Sequence, residues 1–136
     1  MAQSGPDAAL SMIPCLIVRD VAAAADFYVA AFAAEVEAGT QAAPDRAAGI
    51  RLALGACRLL LVEADRAGLR LGPESYGGAP VRFTLVARDA AALRARALAQ
   101  GAVALPAGGW LRDPFLHLWR IVDDAKGRAP PADPPP

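Results

Sequence analysis

Two stretches of this sequence decide the fold, and they read alike. The first is Ile13-Pro14-Cys15-Leu16-Ile17-Val18-Arg19-Asp20, which runs into an alanine-rich segment over 21–34. The second is Val81-Arg82-Phe83-Thr84-Leu85-Val86-Ala87-Arg88-Asp89, which runs into another over 90–100. Each opens on a short apolar run of strand character, bounded by an aspartate. Asp20 and Asp89 are good N-caps, because a carboxylate there accepts from the unpaired amides of the next turn. Beyond Asp20, the residues Ala24, Phe27, Tyr28, Ala31 and Phe32 fall at three- and four-residue spacings, which predicts a helix with one apolar stripe. Beyond Asp89, Leu93 and Ala97 face inward on a second helix, which Gly101 can end in the left-handed conformation.

Working outward, 36–40 reads as a short strand, 41–49 as a loop, and 50–54 with 57–63 as a hairpin turning near Gly55. The stretch 65–78, with its glycines, one proline and mixed charge, reads as a linker. After the second helix come a short strand over 102–105, a turn over 106–110 containing Trp110, a turn at Asp113-Pro114-Phe115-Leu116, and a last strand over 117–122. The halves can be laid on each other. Val18-Arg19-Asp20 matches Ala87-Arg88-Asp89, and Leu60-Leu61-Val62-Glu63 matches Arg120-Ile121-Val122-Asp123. The expected fold is α+β: one domain over 1–124, with a βαβββ module at 12–64, a linker at 65–79 and a second module at 80–124. The proline-rich 125–136 reads as a flexible tail.

Composition narrows the function. At 136 residues and 55% apolar, the chain can bury one real core. Its 14 Lys+Arg balance 14 Asp+Glu, which argues against a nucleic-acid or membrane-surface partner. No run approaches the ~20 apolar residues of a membrane span. Cys15 and Cys57 make no disulfide scaffold and read as reduced, buried thiols of a cytoplasmic protein. The absence of a basic segment before the first apolar run predicts no secretory signal.

The ordered set Ile13 to Asp20, Asp26-Phe27-Tyr28, Ala31-Phe32 and Asp113 to Trp119 resembles the glyoxalase/bleomycin-resistance/dioxygenase superfamily, the vicinal oxygen chelate proteins. The resemblance spans roughly 12–124. It implies curled mixed sheets around an open cup, helices on the convex side, a ligand on the concave side and, in many members, a homodimer. One position departs: Leu116 stands where the family usually has glycine, and a reshaped turn is expected there because leucine resists positive φ.

The resemblance also places four metal positions, at Ile13, Leu60, Arg82 and Arg120. None is a metal donor, since a site needs thiolate, neutral imidazole or carboxylate and a guanidinium stays protonated. Slipping the second position to Glu63 supplies only one carboxylate. No metal and no other cofactor is therefore expected. Strand alternation adds Cys15, Ile17, Arg58, Val62, Thr84, Val86, Leu118 and Val122 to the cup face. It sends Leu16, Val18, Leu59, Leu61, Phe83, Leu85, Trp119 and Ile121 to the helices. The three arginines of these strands, Arg58, Arg82 and Arg120, all fall on the cup face. Trp110 in its glycine-flanked turn, or Tyr76 in the linker, could stack on a planar ligand. His117, the single histidine, reads as a turn or core-edge residue, and Cys15 as a packed thiol with no base beside it.

The function expected is a metal-independent small-molecule binder, sequestering a drug or metabolite that is anionic or aromatic, with Arg82, Arg120, Ile13, Leu60, Arg58, Thr84 and Trp110 as its binding residues and a homodimer as its assembly. The alternatives are an isomerase, lyase or dioxygenase of the same superfamily, or a regulatory dimer without a ligand.

Overall fold

The computed structural model describes residues 10–37, 49–65, 67 and 70–124. The expected loop over 41–48, part of the strand expected over 36–40, and the tail over 125–136 lie outside the described residues.

The repeat is structural. The first module runs β1 (Cys15–Val18), α1 (Val21–Phe32), β2 (Glu35–Val36), β3 (Gly49–Leu54) and β4 (Cys57–Glu63). β1 lies parallel to β4, and the antiparallel pairs β4–β3 and β3–β2 complete the order β1-β4-β3-β2. A short helix, α2 (Pro73–Tyr76), interrupts the expected linker. The second module then repeats the first: β5 (Arg82–Ala87), α3 (Ala90–Ala99), β6 (Val103–Ala104), β7 (Trp110–Arg112) and β8 (Leu118–Asp123), in the order β5-β8-β7-β6. The architecture is α+β, with two four-stranded mixed sheets that do not close into barrels. Both caps form as expected: the Asp20 carboxylate accepts from the Ala23 amide and that of Asp89 from the Ala92 amide, each at 3.0 Å.

Burial follows the strand period of two. Leu16, Val18, Leu59, Leu61, Trp119 and Ile121 are buried, with Phe83 and Leu85 packed against them, while Thr84 and Val86 between them are exposed. All eight inward residues join one hydrophobic cluster with Phe27, Tyr28, Ala31 and Phe32 of α1. The two modules therefore share a core, in which Trp119 packs on both Phe32 and Phe83. Polar ties cross the same seam. Arg19 donates to the Pro114 carbonyl at 2.7 Å, and Arg96 donates twice to the Ala30 carbonyl at the end of α1.

Three local expectations need correction. Cys15 and Cys57 are exposed rather than buried, because Cys15 takes the outward parity of β1 and Cys57 opens β4 beside the turn. Trp110 begins β7 instead of lying in the preceding turn. The turn at Leu116 is not reshaped: Leu116 holds φ 73°, the left-handed conformation that favours glycine. The hydrogen bonds of Asp113, described below, hold it there.

Candidate functional site

The outward face of the second sheet is built around β8. Arg120 on β8 lies between Thr84 on β5 and Trp110 on β7 in the strand register, so all three share a face. Arg82, two residues before Thr84, belongs to that face by the same alternation. The Trp110 ring is the platform. The Arg82 guanidinium carbon lies 4.9 Å from its centroid and that of Arg120 5.1 Å. A guanidinium over an indole face is held by the ring quadrupole without losing its charge. Covered by these side chains, Trp110 is only 8% exposed. Gly108 makes its placement possible. At φ 75° a Cβ there would sit 2.8 Å from the indole Cδ1, so a larger residue would displace the ring.

A buried knot fixes β8 behind this face. Asp113 accepts at Oδ1 from the amides of Phe115 and His117, at 2.8 and 3.0 Å. At Oδ2 it accepts from the Trp119 indole at 2.9 Å and from the Tyr28 hydroxyl. Four donors on one buried carboxylate satisfy it within the core and lock the turn that aims β8. Burial, followed by the neighbouring Asp113 charge, pushes the Tyr28 phenol well above its ordinary value. Tyr28 and Asp113 are missing from the expected site residues. The sequence marked Tyr28 only as part of an apolar helix stripe and Asp113 only as part of a turn, and their contact spans 85 positions.

The structure gathers most of the expected binding residues. Ile13, Arg58, Arg82 and Thr84 line a cleft of about 510 Å³ between the start of β1, the β3–β4 turn and β5. Arg82 links this cleft to Trp110 and Arg120. Leu60 stands apart: it pairs with Cys15 and packs on Val62. Arg58 is already engaged, donating to Glu37 at 2.8 Å, with Arg51 at 3.8 Å from the same carboxylate. Sequence reading offered no signal for that clamp. Glu63 lies exposed at the end of β4, and Arg82 has no ion-pair partner among the described residues. His117 is nearly buried, and its Nε2 lies 3.1 Å from the Ile17 carbonyl.

The four metal positions that the resemblance implies hold Ile13, Leu60, Arg82 and Arg120, which offer two hydrocarbon chains and two permanent cations. That donor chemistry does not fit a divalent ion. Among the described residues no group of three His, Cys, Asp or Glu could hold one.

Comparison with known proteins identifies the family and the fold. Residues 14–128 match a glyoxalase-like domain model, and the chain belongs to that family, within the vicinal oxygen chelate superfamily. An uncharacterised protein of Mycobacterium bovis is 35% identical over 124 residues, covering 82% of this chain and 81% of that protein. One of Mycobacterium tuberculosis has the same identity, with 72% of its length covered. Among solved structures, a gene product of Arabidopsis thaliana has a TM-score of 0.65 at 23% identity, covering 83% of this chain and 98% of that one. A fosfomycin resistance protein from Mesorhizobium loti has a TM-score of 0.63 at 14% identity, covering 86% and 92%.

Proposed function

We propose that this chain is a metal-independent binder of small anionic molecules, taken up on the outward face of the second module. The observation that carries this is the pair of guanidiniums, Arg82 and Arg120, stacked on one indole at the related metal positions of the fold. Two like charges held together on a partly apolar face repel and lose hydration, and an oxyanion between them relieves both costs. Arginine forks suit carboxylate and phosphate oxygens, which they grip through two parallel N–H groups. Thr84 adds a hydroxyl on the same face, and Ile13 lines the cleft beside it. Sequestration of a drug or metabolite by a cytoplasmic homodimer is the biological form of this reading. The outer edges of β1 and β5, unpaired among the described residues, are surfaces that a second copy would cover.

An enzymatic reading draws on the neighbours. One fosfomycin resistance structure of the same fold, from Listeria monocytogenes, was solved with Mn(II) and a dihydroxypropylphosphonic acid. A phosphonate is an anion that paired arginines would also grip, but an enzyme using this face would have to work through residues other than metal donors.

The test is thermal shift against inorganic phosphate, a panel of small carboxylates and phosphonates, and divalent metals, with Arg82→Leu and Arg120→Leu beside the native protein. Stabilisation by an anion alone, weakened at least ~10-fold in affinity by each substitution with the fold retained, supports binding without metal. Light scattering on the same samples should give a dimer. Stabilisation by a metal alone, or anion binding indifferent to both substitutions, overturns the proposal.

A further inference from the structure

A second pocket adjoins the arginine-lined cleft, sharing Met12, Pro14 and Phe83 with it, and its chemistry is opposite. It has a volume of about 360 Å³, within the range of small-molecule sites, and lies where the open edge of β1 meets α2 and the start of β5. Its walls include Pro14, Pro73 and Pro80, Leu71 and Phe83, and among the described residues no Asp, Glu, Lys or Arg lines it. The three prolines stiffen the walls and offer no N–H groups. Tyr76, 65% exposed, stands at the rim with its ring available for stacking. The one titratable side chain besides the rim tyrosine and the Cys15 thiol is His117.

His117 gives the pocket a defined polarity. A carbonyl oxygen can only accept, so the contact of Nε2 with the Ile17 carbonyl at 3.1 Å requires the proton on Nε2. In the neutral ring that tautomer leaves Nδ1 as a lone-pair acceptor, and among the described residues Nδ1 has no hydrogen-bond partner. The backbone of His117 is fixed in turn by Asp113, whose carboxylate accepts its amide at 3.0 Å. An apolar pocket whose described walls carry no permanent charge, with one acceptor at His117, favours a neutral molecule with a hydrocarbon or aromatic body and a single hydroxyl or N–H donor. It disfavours an anion, which would lose its hydration with no cation to meet it.

We infer that this pocket between β1, α2 and β5 is a second ligand site, specific for neutral apolar molecules that donate one hydrogen bond to His117 Nδ1. It shares walls with the arginine-lined cleft but none of that cleft's arginines, and the inference does not rest on what the arginine face binds.

Three probes of similar bulk separate the possibilities: para-propylphenol, its methyl ether and para-propylbenzoate, titrated at mildly alkaline pH by ligand-observed NMR. The phenol should bind at least ~10-fold more tightly than either the ether, which lacks the donor, or the benzoate, which carries charge. His117 is the single histidine of the chain, so its ring nitrogens are the only imidazole signals in an ¹⁵N spectrum. The phenol should move the Nδ1 resonance and leave Nε2 nearly still. Because His117→Phe also removes the contact with Ile17, Val81→Glu serves as the second variant. Val81 is exposed on the pocket wall, and a carboxylate there should abolish phenol binding with thermal stability unchanged. Equal affinities for the three probes, phenol binding that survives Val81→Glu, or an Nδ1 signal unmoved at saturation overturns the inference. So does the absence of binding by all three, the result expected if a second copy of the chain fills the pocket.

Discussion

Each module sets two arginines on its outward face but gives them different company. In the first, Arg51 and Arg58 flank Glu37, at 3.8 and 2.8 Å from its carboxylate. In the second, Arg82 and Arg120 flank the indole of Trp110. A carboxylate neutralises the cations beside it. An aromatic face orients the cations over it without supplying a countercharge of its own. The same strand order therefore yields a closed ionic clamp in one half and a cationic platform in the other. The connection before the last strand of each module differs in parallel. β3 and β4 pair over six positions, from Gly49↔Val62 to Leu54↔Cys57, around a tight turn. β7 and β8 pair over three, and the chain between them folds around Asp113. Matching the two hairpins by register sets Arg51 with Trp110, Ala53 with Arg112 and Leu54 with Asp113, so the first module has no equivalent of this carboxylate. The second module has exchanged ladder hydrogen bonds for side-chain ones.

That exchange can be broken most severely at its centre. Asp113→Ala strands four donors, among them the buried hydroxyl of Tyr28 and the indole N–H of Trp119. It should cost at least ~3 kcal/mol in urea denaturation, with the loss concentrated in the second module. A loss under ~1 kcal/mol would mean that the turn is held by packing and not by the carboxylate.

Tyr28→Phe removes one donor and should cost about 1–2 kcal/mol near neutral pH. Its pH dependence is the sharper reading. The folded-state pKa of Tyr28 is raised, by burial first and the Asp113 charge second. The stabilisation is then fully present below the unfolded pKa near ~10 and is lost as pH rises further, because the unfolded chain ionises first. The deficit of the Phe variant should shrink above that pH. Denaturation midpoints that stay parallel into the alkaline range would contradict the burial of the phenol beside a carboxylate.

The smallest effect expected is a gain. Leu116 occupies left-handed backbone at φ 73°. Leu116→Gly should therefore raise stability by roughly 0.5–1 kcal/mol in the same assay, after the extra entropy of glycine in the unfolded chain is set against the relieved strain. A destabilised variant would show that the half-buried leucine side chain contributes more than its backbone conformation costs.

How much of this could be read from sequence depends on the range of the interaction. Alternation along a strand and capping by Asp20 or Asp89 are local, so both sheets, both long helices and the inward set from Leu16 to Ile121 were legible. The outward position of Arg82 and Arg120 followed from the same parity. What joined them was not legible, because Trp110 reaches Arg82 from a strand 28 positions further along the chain and only folding brings both guanidiniums over its ring. Tyr28 and Asp113 illustrate the same limit across 85 positions. The exposed cysteines show another: an apolar residue type predicts burial on average, but Cys15 takes the outward parity of its strand. Glu37 gave no signal because its partners arrive from two other strands. α2 was hidden by the glycines and proline around it, which read as turn.

The shared core also bears on what the linker is for. Arg19 reaches the Pro114 carbonyl, Arg96 reaches that of Ala30, and Tyr28 is bound to Asp113, all across the seam between the modules. Trp119 and Phe32 meet there as well. A chain cut between its two halves should therefore still elute as one species in size-exclusion chromatography, the severed pieces held by the surfaces they bury in each other.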